Sequence, residues 1–151
     1  MYVAIVALTM VILPAVSIVA GHALDPAAAW LLLAGRWFVF WSVGVRLTLA
    51  GTRQFFQPAF TAREIFHLGD DALPIVRELG VANVATGVVG LLSLAAPSFT
   101  LPVAISAAIF YGAAGFRHAL ERDRSRNETV AMSSDLFAFV VLTLFVVGAT
   151  G

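Results

Sequence analysis

An all-α, membrane-spanning bundle of five transmembrane helices with one short interfacial amphipathic helix is the fold class this sequence predicts. Three observations predict it. The 151 residues are 60% hydrophobic and only 12% charged, where a soluble domain averages about 45–50% apolar and about 25% charged. The mean hydropathy is +0.94, more apolar surface than a water-soluble core could hide. The apolar runs also divide at turn residues into five segments, most near the ~20 residues that cross a ~30 Å hydrocarbon layer. The length suits one domain, residues 1–151.

The first span, Met1 to Leu24, has no charged side chain and carries Pro14 near its middle. It lacks the basic n-region of a secretory signal, so it reads as a retained helix. Asp25-Pro26 turns the chain into the second span, Ala27 to Gly51, which contains Arg36 and Arg46. Pro74 to Ala95 is the third span. Ala96-Pro97-Ser98 with Pro102 marks the next turn, and Leu101 to Phe116 is the fourth span. That span is the shortest, and Arg117 and His118 serve as its interfacial anchors. Val130 to Gly151 is the fifth.

The longer connection Thr52 to Leu73 contains Thr61-Ala-Arg-Glu64, a capping-box pattern. It predicts a short helix near Ala62–Leu68, ended near Gly69. Phe56, Phe60, Ile65 and Phe66 would enter the interface while Arg53, Arg63 and Glu64 stay wet, so this helix is expected to lie flat on the membrane.

Arginine sets the orientation. The connections Thr52–Leu73 and Glu121–Thr129 hold Arg53, Arg63, Arg122, Arg124 and Arg126, and the two connections at the other end hold none. Positive-inside logic puts the arginine-rich loops and the N-terminus in the cytoplasm, as in a bacterial inner-membrane protein.

Several chemistries are excluded. With no cysteine there are no disulfides, thiolate metal sites or cysteine nucleophiles. A formal net charge of zero gives no general attraction to nucleic acid. There is no HExxH, P-loop, G-x-S-x-G or dinucleotide fingerprint.

What remains is a set of polar residues in apolar helices. Arg46, Arg77, Glu78, His118 and Asp135 all fall near the cytoplasmic ends of their spans, so one shallow layer could collect them. An unpaired charge at the bilayer centre costs about 2.5 kcal/mol or far more, which favours pairing within the bundle. Glu78 is therefore expected to be buried against Arg36, Arg46, Arg77 or His118. Arg36 lies roughly 13 Å in from the outer end by helical rise and should face the interior or water. Trp30, Trp37 and Trp41 share one face of the second span, an arrangement more typical of packing than of a ligand cage.

Gly80, Asn83, Gly87 and Gly90 form one stripe on the third span, and Ala108, Gly112 and Gly115 another on the fourth. Small residues permit close backbone approach, so spans three and four are expected to meet through them, with Asn83 hydrogen-bonding across. Nearer the cytoplasm Glu78, Tyr111 and His118 would splay these helices around a polar-floored cavity. Arg36, Arg46, Arg77, Glu78, Asn83, Tyr111, His118 and Asp135 are accordingly the candidate ligand-binding or polar-cluster residues. No catalytic residue, metal ligand or cofactor is assigned. Glu121 to Glu128 reads as a solvated mixed-charge run.

Arg36-Trp37, Glu78-Leu-Gly80, Ala82-Asn83, Gly87, Tyr111-Gly112, Gly115, His118, Asn127 and Asp135 together carry a resemblance. The chain resembles a family of small bacterial integral membrane proteins, distantly similar to the DoxX-like bundles, over roughly Gly35 to Leu142. The resemblance implies a helical bundle, often of four spans and sometimes beside quinone-linked redox complexes; the fifth span here departs from it.

Two functions of different class follow. One is a non-enzymatic bundle that binds a small hydrophobic ligand (lipid, quinone or sterol-like) or serves as a subunit of a homo-oligomer or membrane complex. The other is a proton-coupled transporter or channel with Glu78, His118 and Asp135 as a relay. A lipid-acting enzyme using Glu78 or His118 as acid or base comes third. Membrane lipids are the expected surroundings in every case.

The topology is directly testable because no native cysteine interferes. Cysteines placed at Phe55 and Arg124 should be labelled from the cytoplasmic side and one at Ser98 from outside; the reverse pattern would invert the orientation.

Overall fold

A computed structural model describes residues 2–151, and among these residues it contains helices and no strand. Five helices are long and apolar enough to cross a membrane. They are α1 (Tyr2–Leu24), α2 (Trp30–Phe56), α3 (Leu73–Leu92), α4 (Thr100–Leu120) and α5 (Arg126–Thr150). Their outward faces are apolar: Val16, Val19, Ile75, Ile109, Leu144 and Val147 are all mostly exposed. An apolar exterior of this kind suits hydrocarbon as solvent.

α2 is the hub. Phe38, Val39, Val43 and Leu47 point into the core, where they meet residues of α1, α4 and α5. Its other flank belongs to α3, and the contact is between backbones. A Cβ on Gly80 would stand 2.7 Å from the Gly51 carbonyl, and one on Gly90 would stand 2.8 Å from the Gly44 nitrogen. A Cβ on Gly87 would strike Thr48. The third-span glycine stripe therefore packs on α2, which corrects the expectation that it meets α4. The reason is complementarity: α2 offers Gly44, Thr48 and Gly51 at matching helical spacing. Asn83 does bond across this interface, its Nδ2 donating to Gln54 Oε1 of α2 at 2.8 Å.

The fourth-span stripe serves a second pair. Gly112 and Gly115 face Phe139 and Leu136 of α5. The bundle thus consists of two tight antiparallel pairs, α2–α3 and α4–α5, with α1 laid beside α2 and α5. The pairs touch mainly through residues 30–45 of α2, with a smaller contact between α3 and α4. From Arg46 onward that helix follows α3 and leaves α4 and α5.

Two of the spans contain a π-helical segment, Leu8–Ile12 in α1 and Val39–Val45 in α2. The first lies just before Pro14, whose ring would collide with a carbonyl four residues back in a regular helix; a wider turn relieves that clash. The two wide turns meet at a polar string. Thr9 Oγ1 donates to the Ile5 carbonyl at 2.8 Å and Ser42 Oγ to the Thr9 carbonyl at 3.2 Å. Tyr111 of α4 donates to the Ser42 carbonyl.

The tryptophans pack rather than form a cage. Trp41 Nε1 donates to Ser17 Oγ at 2.9 Å, and Trp30 lies against His22.

The Thr52–Leu73 connection holds a short helical stretch, as expected, but it starts at Pro58 rather than Ala62. It contains a short turn, Pro58–Phe60, running into a π turn, Thr61–Ile65. Thr61 is inside this helical stretch rather than at its cap, because Gln57 followed by Pro58 already starts it. Pro58, Thr61, Ala62 and Ile65 are buried, so one face of the segment packs on the end of the bundle, while Arg63 and Glu64 stay exposed.

Gly80→Leu should destabilise the protein by about 1–3 kcal/mol through overpacking, read as a lower melting temperature in detergent. Ala82→Leu, on the exposed side of the same helix, should change it little. Equal effects would mean that α2 and α3 are not in backbone contact.

Candidate functional site

The divergence of the two helix pairs leaves a cavity of about 460 Å³ at the end that carries the Thr52–Leu73 connection. Apolar walls come from Leu47, Ala50, Ile65, Leu79, Phe110 and Ala114, with polar residues Arg46, Arg53, Tyr111, His118 and Asp135 among them. Leu49, Leu68 and Arg117 line it too and are exposed, so it opens at a rim.

Four of the sequence-predicted residues meet here: Arg46, Tyr111, His118 and Asp135. Tyr111 and His118 are buried at 2% and 3% exposure beside the cavity. Tyr111, however, spends its hydroxyl on the Ser42 carbonyl, so it braces the floor rather than presenting a free donor. Asn83 contributes indirectly, by holding the cavity residue Gln54.

Three others are elsewhere. Glu78 and Arg77 are exposed, and Glu78 forms no ion pair among the described residues. That corrects the expectation of a buried Glu78. Val76, Gly80, Asn83, Gly87 and Gly90 take the buried face of α3, and Glu78, two residues after Val76, points about 200° away round the helix. Arg36 is exposed near the opposite end, in a shallow pocket with Ser93, Pro97 and Phe145. Ten residues of helix separate it from Arg46, about 15 Å, so it cannot join the cavity. Its guanidinium lies 5.3 Å from the Trp37 ring centroid.

Beside the cavity, at His118, lies a hydrogen-bonded latch that sequence reasoning missed. Glu128 is 1% exposed and bridges two imidazoles: His67 Nε2 lies 2.9 Å from Oε2 and His118 Nδ1 lies 3.1 Å from Oε1. An ionised carboxylate only accepts, so each ring must present an N–H to it. His67 reaches Glu128 because it adopts a left-handed backbone conformation, φ 53°, unusual outside glycine. Phe66 stacks on His118, and Ser125 Oγ donates to the Glu64 carbonyl at 3.3 Å. Loop, α4 and α5 are thereby tied together.

A signal for Glu128 was present. Ser125-Arg-Asn-Glu128 is a capping-box pattern, and Ser125 does accept from the Glu128 backbone N–H at 3.1 Å. α5 therefore begins four residues earlier than the apolar run implied, which corrects the reading of residues 121–128 as wholly solvated. Arg124 also has a structural task, donating to the His118, Ala119 and Glu121 carbonyls at the end of α4. The two imidazoles hold different oxygens of one carboxylate, and no group of three metal-ligating side chains converges among the described residues.

A family model matches residues 1–149, and its description is a family of unknown function, DUF6790. The chain belongs to that family. The match takes in α1 as well, which the DoxX-like resemblance left outside. No curated protein and no solved structure matches the chain.

Removing the latch carboxylate strands two histidines, one of them buried. Breaking a buried pair typically costs about 3–5 kcal/mol. One of the two partners, His67, is half exposed and can be solvated once released, so Glu128→Ala should cost about 3 kcal/mol, the low end of that range. Glu78→Ala should be close to neutral in the same thermal melt. Comparable losses would show that the latch is not a structural tie.

Proposed function

We propose that this protein is a non-enzymatic membrane bundle that holds one small amphipathic molecule, of lipid, quinone or sterol-like type, in the cavity between its two helix pairs. The cavity carries the reading. Its volume, about 460 Å³, falls within the roughly 300–1,000 Å³ of small-molecule sites, which are mostly apolar with a few placed polar groups. Its polar members sit among apolar walls at membrane depth, where polar side chains mark functional sites by default. A molecule with a polar head at Arg46 and Asp135 and an apolar body along Leu47, Ala50 and Ala114 suits that lining.

The reading includes a place in a bacterial cytoplasmic membrane with the N-terminus inside, on the strength of the arginines at one end. It treats the bundle as distantly DoxX-like. A proton relay through Glu78, His118 and Asp135 draws no support from the geometry, because Glu78 stands outside the cavity.

Native mass spectrometry of protein purified in mild detergent tests the reading. One lipid-like molecule per chain should accompany the protein and be lost in Ala114→Trp and Ala50→Trp, which fill the cavity, while circular dichroism stays helical. Protein that never carries such a molecule, or equal loading of both filled variants, would contradict it.

A further inference from the structure

The cavity described above is unevenly charged. Its lining includes three arginines, Arg46, Arg53 and Arg117, one histidine, and a single carboxylate, Asp135. Two of these side chains are matched outside it: Arg117 pairs with Glu121 at 3.6 Å, and the His118 imidazole with Glu128 at 3.1 Å. Arg46 and Arg53 have no carboxylate within ion-pair distance among the described residues.

Both guanidiniums instead rest on aromatic rings. Arg46 lies 5.8 Å from the Tyr2 ring centroid and Arg53 lies 3.6 Å from that of Phe60. Those rings are themselves neighbours, with centroids 5.8 Å apart. The two arginines, seven residues apart on one face of α2, therefore converge on the same aromatic pair. A ring face attracts a cation but accepts few of the five N–H donors of a guanidinium. Arg46 Nε is buried with no hydrogen-bond partner. An unsatisfied charged donor at this depth is costly, and its fork geometry suits the two oxygens of a carboxylate or phosphate. Asp135 offsets one of the two unmatched positive charges and leaves the other.

We propose that the molecule held in the cavity is an amphiphile with an oxyanion head, a carboxylate or a phosphate, set against Arg46 and Arg53. The proposal rests on the ligand-binding reading and adds the charge of the head to it. An anionic head offsets the remaining positive charge, its oxygens taking guanidinium donors while the chain runs along the apolar wall. A neutral head of equal length would leave those donors unfilled.

Equilibrium binding to delipidated protein in neutral detergent at pH 8 separates the two claims. The probes are oleate, oleoyl lysophosphatidate and oleyl alcohol, and the relative affinity of the first two tells which oxyanion is preferred. At least one anion should bind tenfold or more tightly than the alcohol. Arg46→Gln should bring that ratio close to one, with Arg53→Gln as a second variant if the first fails to fold. Equal binding of alcohol and both anions overturns the oxyanion head and leaves the cavity reading standing. An anion preference that survives in both variants overturns the assignment to these arginines. Binding of none of the three probes overturns both readings.

Discussion

The backbone contact between α2 and α3 is the constraint on which the rest of the structure depends. Gly44 against Gly90 and Gly51 against Gly80 commit the second half of α2 to α3. In lipid there is no hydrophobic drive between helices, so close packing of small residues is what holds such a pair. α4 makes its own close contact with α5 through Gly112 and Gly115. From Arg46 onward α2 stays on α3 and diverges from α4 and α5. The gap that opens beside Arg46 is a consequence of that geometry.

The polar groups at the edges of the gap are placed by the same architecture. Where the pairs part, α2 widens into a π turn, and Ser42 and Tyr111 close the floor with a hydrogen bond. Backbone groups cannot be left unsatisfied in hydrocarbon, and irregular turns are tolerated where a neighbour supplies a partner. Beside the gap, His67, Glu128 and His118 tie the connecting loop to α5 and α4. The loop brings Phe60 under Arg53, so it also shapes the cationic wall. Fold and candidate site are one arrangement seen at two scales.

Much of this was legible in the residues. Five apolar runs, their turns, and the glycine and alanine stripes follow from composition and helical spacing, and so does the gathering of Arg46, Tyr111, His118 and Asp135 at one end. The pairing of stripes was not legible, because a stripe states that something packs closely and does not name the neighbour. Glu78 was misplaced for a different reason: it was read by depth alone, although helical spacing already sets it about 200° round the helix from Gly80, opposite the stripe. Glu128 was hidden by composition. A charged run reads as solvated until a distant histidine, turned by a rare backbone conformation, covers it.

A cavity that arises from helix pairing should persist whether or not it is filled, and the molecule it takes should be visible in place. The most direct measurement is a density map of the protein in a lipid nanodisc at side-chain resolution. The account predicts two glycine-packed pairs diverging from Arg46 onward, with elongated density between them whose head lies in contact with the Arg46 guanidinium. Side chains of α2 and α4 interdigitated along the whole of α2, with no space between the pairs, would contradict it.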